Sequence, residues 1–371
     1  MRIAYIGQMA DVSFASSIAK KIRSQALAWM GAGHTARYFS LVPTIAPWPG
    51  LAPLRAELIP RGLPGQRFFR SHALCRAVQA WRPDLIYFRY AYHSPGLPAL
   101  FRRIPGVAEI NSDDNSEYAL SLSAPKRIYH HLTRTRILTP LAGLVPVTHE
   151  LGRRFASFGH PYNVIGNSVT LTDFPQLPPS GSSNRLVFNG SPGSPWHGVE
   201  RIAELAALFP AMGFDIVGID GPAWRTQTGR SSLPSNVKLH GYLSPAAYAP
   251  LMVGAVAAIG TLALYKNGMH EGCPLKVREY LASGLPVIGA CEDTDIPDGA
   301  DYYLRLPNDP SPLAPHRDAI AAFVDRWRGR RVPRELITHL DTSVKETRRL
   351  AFMARVASDW HAANGMAKRS T

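Results

Sequence analysis

The feature that most constrains this chain is an alternation of short apolar runs with helical stripes, which occurs twice and is interrupted once. Residues 2–7, Arg-Ile-Ala-Tyr-Ile-Gly, form an apolar run of strand length. A helical stripe follows at Ile18, Ile22, Ala26, Trp29 and Met30, with Gly31 and Gly33 as stop signals. The pattern continues with strands over 35–41, 85–90, 107–111 and 144–147, a helix through Leu74, Val78 and Trp81, and a helix over 149–158. Strands alternating with helices predict parallel βαβ units whose sheet is covered on both faces. A second series has strands over 186–189, 214–218, 237–240, 256–261 and 286–289 and helices over 199–209 and 275–283.

Between the series, 171–184 is rich in Pro, Ser and Gly and reads as a linker. The expected fold is therefore α/β, with Rossmann-like domains over 1–170 and 185–343. Their strand carboxyl ends would face each other across a ligand cleft. The tail, 344–371, carries a long helix over 344–360, after the second domain is complete.

A hydrophobic fraction of 46% with 18% charged residues excludes wholesale disorder. The three cysteines, Cys75, Cys273 and Cys291, form no C-x-x-C pair, so neither a disulfide framework nor a structural zinc is indicated. Residues 1–7 lack the pattern of a signal peptide, and the 14-residue apolar stretch over 251–264 is shorter than the ~18 of a membrane span. A cytoplasmic location is expected.

Of the net charge of +14, residues 1–160 carry +12, from 20 Lys and Arg against 8 Asp and Glu. That asymmetry suggests a phosphate-bearing partner, either nucleic acid or an anionic membrane surface. Helix-turn-helix, RRM and zinc-finger signatures are missing, which disfavours nucleic acid. Lys20, Lys21, Arg23, Arg102, Arg103, Lys126 and Arg127 are the expected membrane-facing cations. The run over 1–7 continues into Gln8 without G-x-G-x-x-G, so a nicotinamide site is unsupported; no P-loop occurs either.

The most informative stretch is Asn267-Gly-Met-His-Glu-Gly-Cys-Pro-Leu-Lys-Val-Arg-Glu279. Pro274 suits the first turn of a helix, so Glu271 lies in the loop before it and Glu279 about one turn inside. Backbone N–H groups near Gly272 and Cys273 would face an anion, and a diphosphate fits there. Gly272 removes a side chain that would block its approach. Glu279 can accept two hydrogen bonds from a ribose diol.

This segment resembles the E-x7-E motif of retaining GT-B glycosyltransferases, glycosyltransferase family 4 in particular. Gly218-Ile-Asp-Gly-Pro222 looks like that family's G-x-G-P strand end, and Asn236-Val-Lys-Leu-His-Gly241 is similar to its N-V-x-F-x-G strand. Val164-Ile-Gly-Asn167, Val147-Thr-His-Glu-Leu151 and Gly31-Ala-Gly-His34 resemble further family turns in the same order. The resemblance covers most of residues 1–310 and is strongest over 185–310.

It implies a C-terminal helix that crosses back to the first domain. It also implies a metal-independent hexosyltransferase that uses a UDP- or GDP-linked sugar as co-substrate, with no cofactor. Polysaccharide synthesis at the cytoplasmic membrane face, on a glycan or lipid-linked acceptor, is the implied setting. Glu271 would touch the donor sugar, Glu279 the ribose, and Gly272, Cys273, Leu275 and Lys276 the diphosphate. Lys276 would also neutralise the departing nucleotide. Gly190, Ser191 and His197 would complete the donor side. In the first domain, Pro83-Asp-Leu-Ile-Tyr-Phe-Arg-Tyr90 and Val107-Ala-Glu-Ile-Asn-Ser-Asp113 resemble acceptor-side strands, which makes Arg89 and Asn111 acceptor candidates.

Departures from the family pattern are equally informative. Where the family carries an arginine and then Lys-Gly after the Asn-Gly turn, this chain has Ser191 and Trp196-His197-Gly198. The strand ending at Asn111 lacks the family's active-site histidine. Asp293-Thr-Asp295 has the D-x-D form of metal-dependent transferases of another fold and is not expected to bind metal. A GT-B nucleotide-sugar epimerase and a degenerate nucleotide-sugar-binding protein remain alternatives.

Overall fold

The computed structural model describes residues 1–7, 17–42, 49–62 and 66–367. The turn beginning at Gln8 lies outside them. The chain forms two units, Met1–Gly166 with Thr342–Thr371, and Asn167–Asp341.

The first unit is built on β1 (Arg2–Gly7), β2 (Thr35–Val42), β3 (Glu57–Pro60), β4 (Leu85–Arg89), β5 (Gly106–Ile110) and β6 (Gly143–Pro146). Its helices are α1 (Ser17–Gly31), α2 (Arg67–Trp81), α3 (Leu97–Phe101), α4 (Asp114–Ser121), α5 (Ala124–Leu138) and α6 (His149–Phe155). Strand order is β3-β2-β1-β4-β5-β6, and every neighbouring pair is parallel. The order reverses between β1 and β4, which is where open α/β sheets bind ligands. In α1 the buried residues Ala19, Ile22, Ala26 and Trp29 follow the helical period and face the sheet. The helix ends where Gly33 takes φ +83° and the His34 amide reaches the Trp29 carbonyl.

The second unit repeats this plan with β7 (Arg185–Asn189), β8 (Gly213–Val217), β9 (Val237–Gly241), β10 (Ala257–Ile259), β12 (Val287–Gly289) and β14 (Tyr303–Arg305). The two-residue strands β11 (Glu271–Gly272) and β13 (Glu292–Asp293) pair separately. Helices α7 (Val199–Leu208), α8 (Gly221–Thr228), α9 (Pro245–Val253), α10 (Leu275–Ala282) and α11 (Arg317–Trp327) flank the sheet. Order β14-β12-β10-β7-β8-β9 is again all parallel and again reverses at its first strand, between β7 and β10.

The motifs noted in the sequence have local structural reasons. The Asn236 side-chain amide donates to the carbonyls of Ala206, Phe209 and Met212, satisfying the end of α7. Asp220 caps α8 through the Ala223 amide. Residues 171–184, expected as a linker, are tied into this unit: Leu171 N donates to Asp341, and Leu177 N to the Ser283 carbonyl.

After Asp341 the chain enters α12 (Thr342–Ala367), which belongs to the first unit. Phe352, Met353, Val356 and Ala357 join the core around Trp29 and Tyr87. On this helix Met353 and Val356 are buried, whereas Val344 and Ala351 are exposed. Arg349 does not stay in water. It is fully buried because the helix phase that buries Met353 and Val356 also turns Arg349 inward, where Glu346 and Glu109 receive it.

Glu109, at 0% exposure on β5, gathers that region. Lys21 Nζ is 2.9 Å from its carboxylate, Arg89 3.2 Å and Arg349 3.8 Å, and Gln25, Tyr87 and Asn111 donate to it. Burial alone raises the Glu109 carboxyl, but Lys21, Arg349 and Arg89 outweigh it and hold it well below the usual range. Lys21, expected on an exposed basic surface, is thus a core residue at 4% exposure, and burial lowers its ammonium to about 8. Glu109→Gln strands these cations and should cost about 3–5 kcal/mol of stability. Urea unfolding at neutral pH measures it; a loss below about 1 kcal/mol would contradict the role given to Glu109.

Candidate functional site

In the second unit the reversal between β7 and β10 is a built crevice. The loop leaving β7 is stitched to the loop leaving β10, because Leu262 N donates to the His197 carbonyl at 3.3 Å and Ala263 N to that of Trp196 at 3.1 Å. Gly198, at φ +73°, lets the chain enter α7 there, and a Cβ would lie 2.9 Å from Leu262 Cβ. Gly218, at φ +79°, ends β8 beside the same loop, where a Cβ would be 2.0 Å from the Gly190 carbonyl oxygen. Both turns therefore require glycine.

Two helix N-termini flank this crevice, α7 after β7 and α10 after β10. Val277 N and Arg278 N both donate to the Pro274 carbonyl, so the amides of Leu275 and Lys276 have no carbonyl to reach within α10. Such amides and the helix dipole favour an anion.

Lys276 supplies the full charge. Its Nζ is buried, lies 4.3 Å from the centroid of the Phe188 ring on β7, and has no hydrogen-bond partner among the described residues. Burial lowers its pKa to about 7. Next to it, His197 is also buried and is held well below the ordinary imidazole value, first by burial and then by Lys276. Its Nδ1 accepts from Ser191 N at 3.4 Å, which puts the proton of the neutral ring on Nε2. The structure thus brings together Gly190, Ser191, His197, Leu275 and Lys276 from two segments. A lysine from α10 thus lies beside the loop after β7, where the sequence lacks the family's cations.

Glu271, in β11, is buried, and Glu279 lies on the second turn of α10, half-buried. The Glu279 carboxylate is close enough to Tyr248 and Tyr280 to add to the upward shift that burial gives both phenols. Tyr280 in turn accepts from Asn189 N at 2.8 Å, tying α10 to the end of β7. Gly272 is explained by packing: a Cβ would sit 3.1 Å from Leu264 and 3.2 Å from Cys291.

Cys273 contributes its backbone, since its thiol points into a buried cluster. Sγ accepts from Asn167 N at 2.9 Å and Arg278 Nη2 at 2.7 Å, and burial pushes the thiol up to about 12. Arg278 donates to both oxygens of Asp293 at 2.7 and 2.8 Å, to Asp295 at 3.0 Å, and through Nε to the Asn167 carbonyl. Cys273, Asp293 and Asp295 lie within 4.8 Å of one another, as metal ligands would. The Arg278 guanidinium bonds both carboxylates, which makes the D-x-D stretch part of a buried ion-pair cluster that braces the start of α10. Arg278 and Phe188 were not read from the sequence as site residues.

In the first unit Arg89 and Asn111 meet on one carboxylate oxygen of Glu109, at 3.2 and 3.1 Å, and Asn111 also accepts from Lys21 at 3.0 Å. Both acceptor candidates are therefore held by the buried network at the ends of β4 and β5.

Comparison with solved structures identifies this architecture. Sucrose-phosphate synthase from Thermosynechococcus elongatus superposes with a TM-score of 0.65 at 15% identity, over 100% of both chains. HepE from Anabaena, solved with UDP and glucose, matches at 0.66 and 16%, over 96% of this chain and 100% of that one. The lipopolysaccharide outer core galactosyltransferase WaaB matches at 0.63 and 12%, over 95% and 99%. The fold is that of GT-B glycosyltransferases. No family model and no curated protein matches the sequence.

Among the described residues no carboxylate meets the Lys276 ammonium, and burying a charge without a partner lowers stability. Lys276→Met should therefore raise stability by at least about 1 kcal/mol while abolishing diphosphate binding. Thermal melts with and without nucleotide measure both; a variant that is less stable and still binds would contradict the assignment.

Proposed function

We propose that this protein is a retaining, metal-independent glycosyltransferase that moves a hexosyl group from a UDP- or GDP-linked donor to a glycan or lipid-linked acceptor. The observation that carries the reading is the buried, unpaired Lys276 ammonium between two helix N-termini at the strand-order reversal. A nucleoside diphosphate would bring the opposite charge to it. HepE, of the same fold, was crystallised with UDP and with UDP-glucose, which supports a uridine donor.

In this reading the donor occupies the second unit. The diphosphate meets Lys276 Nζ, the amides of Leu275 and Lys276, the backbone of Gly272 and Cys273, and the Gly190-Ser191 turn. His197 Nε2–H adds a neutral donor. Glu279 accepts from the ribose diol and Glu271 from the sugar hydroxyls. As the glycosidic bond breaks, negative charge grows on the leaving diphosphate. Preorganised cations and N–H groups stabilise that charge more than the ground state. A lysine in this place does the work that a divalent cation does in other transferases. The first unit holds the acceptor near Arg89 and Asn111, oriented through Glu109. An intact substitute for the missing clamp favours an active transferase over a degenerate binding protein. The setting proposed is cell-envelope polysaccharide synthesis on the cytoplasmic side of the membrane.

Incubation with UDP- and GDP-sugars should release nucleoside diphosphate, slowly to water and faster with acceptor, and NMR of the product should show the donor's anomeric configuration. Glu279→Gln should weaken nucleotide binding by roughly 1.5–3 kcal/mol, the value of a charge-assisted bond. Glu271→Ala should lower turnover while leaving free nucleotide affinity near wild type. An inverted product, or equal loss of nucleotide affinity in both variants, would contradict these roles.

A further inference from the structure

We infer that the α4–α5 tip of the first unit is a membrane-docking surface that inserts aliphatic side chains between the lipids of an anionic bilayer. Among the described residues the three most exposed large aliphatic side chains are Leu132 at 65%, Ile128 at 62% and Leu120 at 50%, and all three belong to this tip. Ile128 and Leu132 are four apart on α5 and so share a face. The opposite face of that helix, with His130, Thr133 and Ile137, is the one that packs inward. Arg127 Nη1 donates to the Ala119 carbonyl at 3.3 Å, which brings the start of α5 to the end of α4 and sets Leu120 beside it. An outward apolar face on a helix that already has a buried one calls for a second apolar medium.

The charge around it identifies that medium. Lys126, Arg127 and Arg136 are exposed on α5. From Tyr118 to His149 the chain contains no Asp or Glu at all, and the same holds from Leu58 to Pro83, where Arg70 and the 79%-exposed Phe69 begin α2. These two helix starts flank one segment: Ser71 Oγ donates to the Pro95 carbonyl and Tyr92 Oη to that of Lys126. The half-buried carboxylate of Glu117, one turn before Leu120 on α4, accepts from Ser112. Aliphatic side chains followed along α5 by cations and no acid fit an anionic lipid interface. Hydrocarbon receives the former and lipid phosphate the latter, and neither requires a shaped partner. This differs from a diffuse basic surface, of which Lys21 was expected to be part: the core holds Lys21, and the docking surface lies at α4–α5. Both α4 and α5 adjoin the carboxyl ends of β4 and β5, through the Tyr90–Asp114 hydrogen bond and the Arg134–Asp114 pair. A docked tip therefore brings the acceptor side of the first unit to the lipid surface; this last step rests on the transferase reading.

The test is co-sedimentation of the full-length protein with vesicles of phosphatidylglycerol and phosphatidylcholine, and with phosphatidylcholine alone. Wild type should bind the anionic vesicles, more weakly at ~0.5 M salt, where the Debye length falls well below 10 Å. Ile128→Ser with Leu132→Ser should weaken binding at least tenfold at both salt levels, and Lys126→Glu with Arg136→Glu should remove the preference for anionic lipid. Because all four side chains are exposed, melting temperatures should stay at wild type; if the double serine variant melts lower, Leu132→Gln alone replaces it. No binding by wild type, no preference over neutral vesicles, or wild-type binding by the serine variant would overturn the inference. Nucleotide release without vesicles should be unchanged in every variant, so failure here is separable from failure of the transferase reading.

Discussion

A charge withdrawn from water must be met by an opposite charge, and in this protein that requirement organises both units. Glu109 would be intolerable in the sheet of the first unit without Lys21, Arg89 and Arg349. Those three cations come from α1, β4 and α12, so the carboxylate fastens the last helix of the chain to the first. Trp29 adds a hydrogen bond to Glu346 at 2.8 Å, and the aromatic rings of Tyr5, Trp29 and Tyr87 pack around the network at 5.2–5.5 Å. In the second unit Arg278 plays the converse part, a buried cation met by Asp293 and Asp295. Lys276 breaks the rule, and that breach is the most informative feature of the candidate site.

The contrast between the two lysines makes the point. The ammonium groups of Lys21 and Lys276 are both buried and both have lowered pKa values, about 8 and about 7. Lys21 touches a carboxylate, and its role is structural. Lys276 touches an aromatic face, whose attraction for a cation is of the order of 0.5–2 kcal/mol and does not match the cost of burying the charge. In the function proposed here, an anion from outside the chain makes up the difference. Its position at the strand-order reversal, between two helix N-termini, is where the fold leaves room for one.

Much of this was legible in the sequence because hydrophobic periodicity and glycine punctuation are local. The strand runs over 2–7 and 186–189, the stop at Gly33 and the start of α10 after Pro274 all follow from neighbours within a few residues. The glycines of the Gly218 and Gly198 turns were visible as letters, but the reason for Gly218, a carbonyl from another strand, is not local. Buried ion pairs were the main thing the sequence hid. Arg349 reads as a wet residue on an amphipathic helix until Glu109, 240 positions away, is brought beside it. Lys21 misled in the same way, since charge in a sequence is read as surface unless its partner is known. The E-x7-E segment could be read because its residues lie on one turn and one helix. The substitution of Lys276 for cations missing after β7 could not, because it joins segments 86 residues apart (Gly190 and Lys276).

The central claim, that Lys276 awaits a diphosphate, is tested most directly by calorimetric titration of a UDP- or GDP-sugar near pH ~8 in two buffers of different ionisation enthalpy. Above its pKa of about 7 the free lysine is mostly neutral, and pairing with diphosphate restores the charged form. Binding should then take up about one proton per site and weaken as pH rises above 7, and Lys276→Met should abolish both effects. Tight binding without proton uptake, unchanged in the methionine variant, would contradict the account.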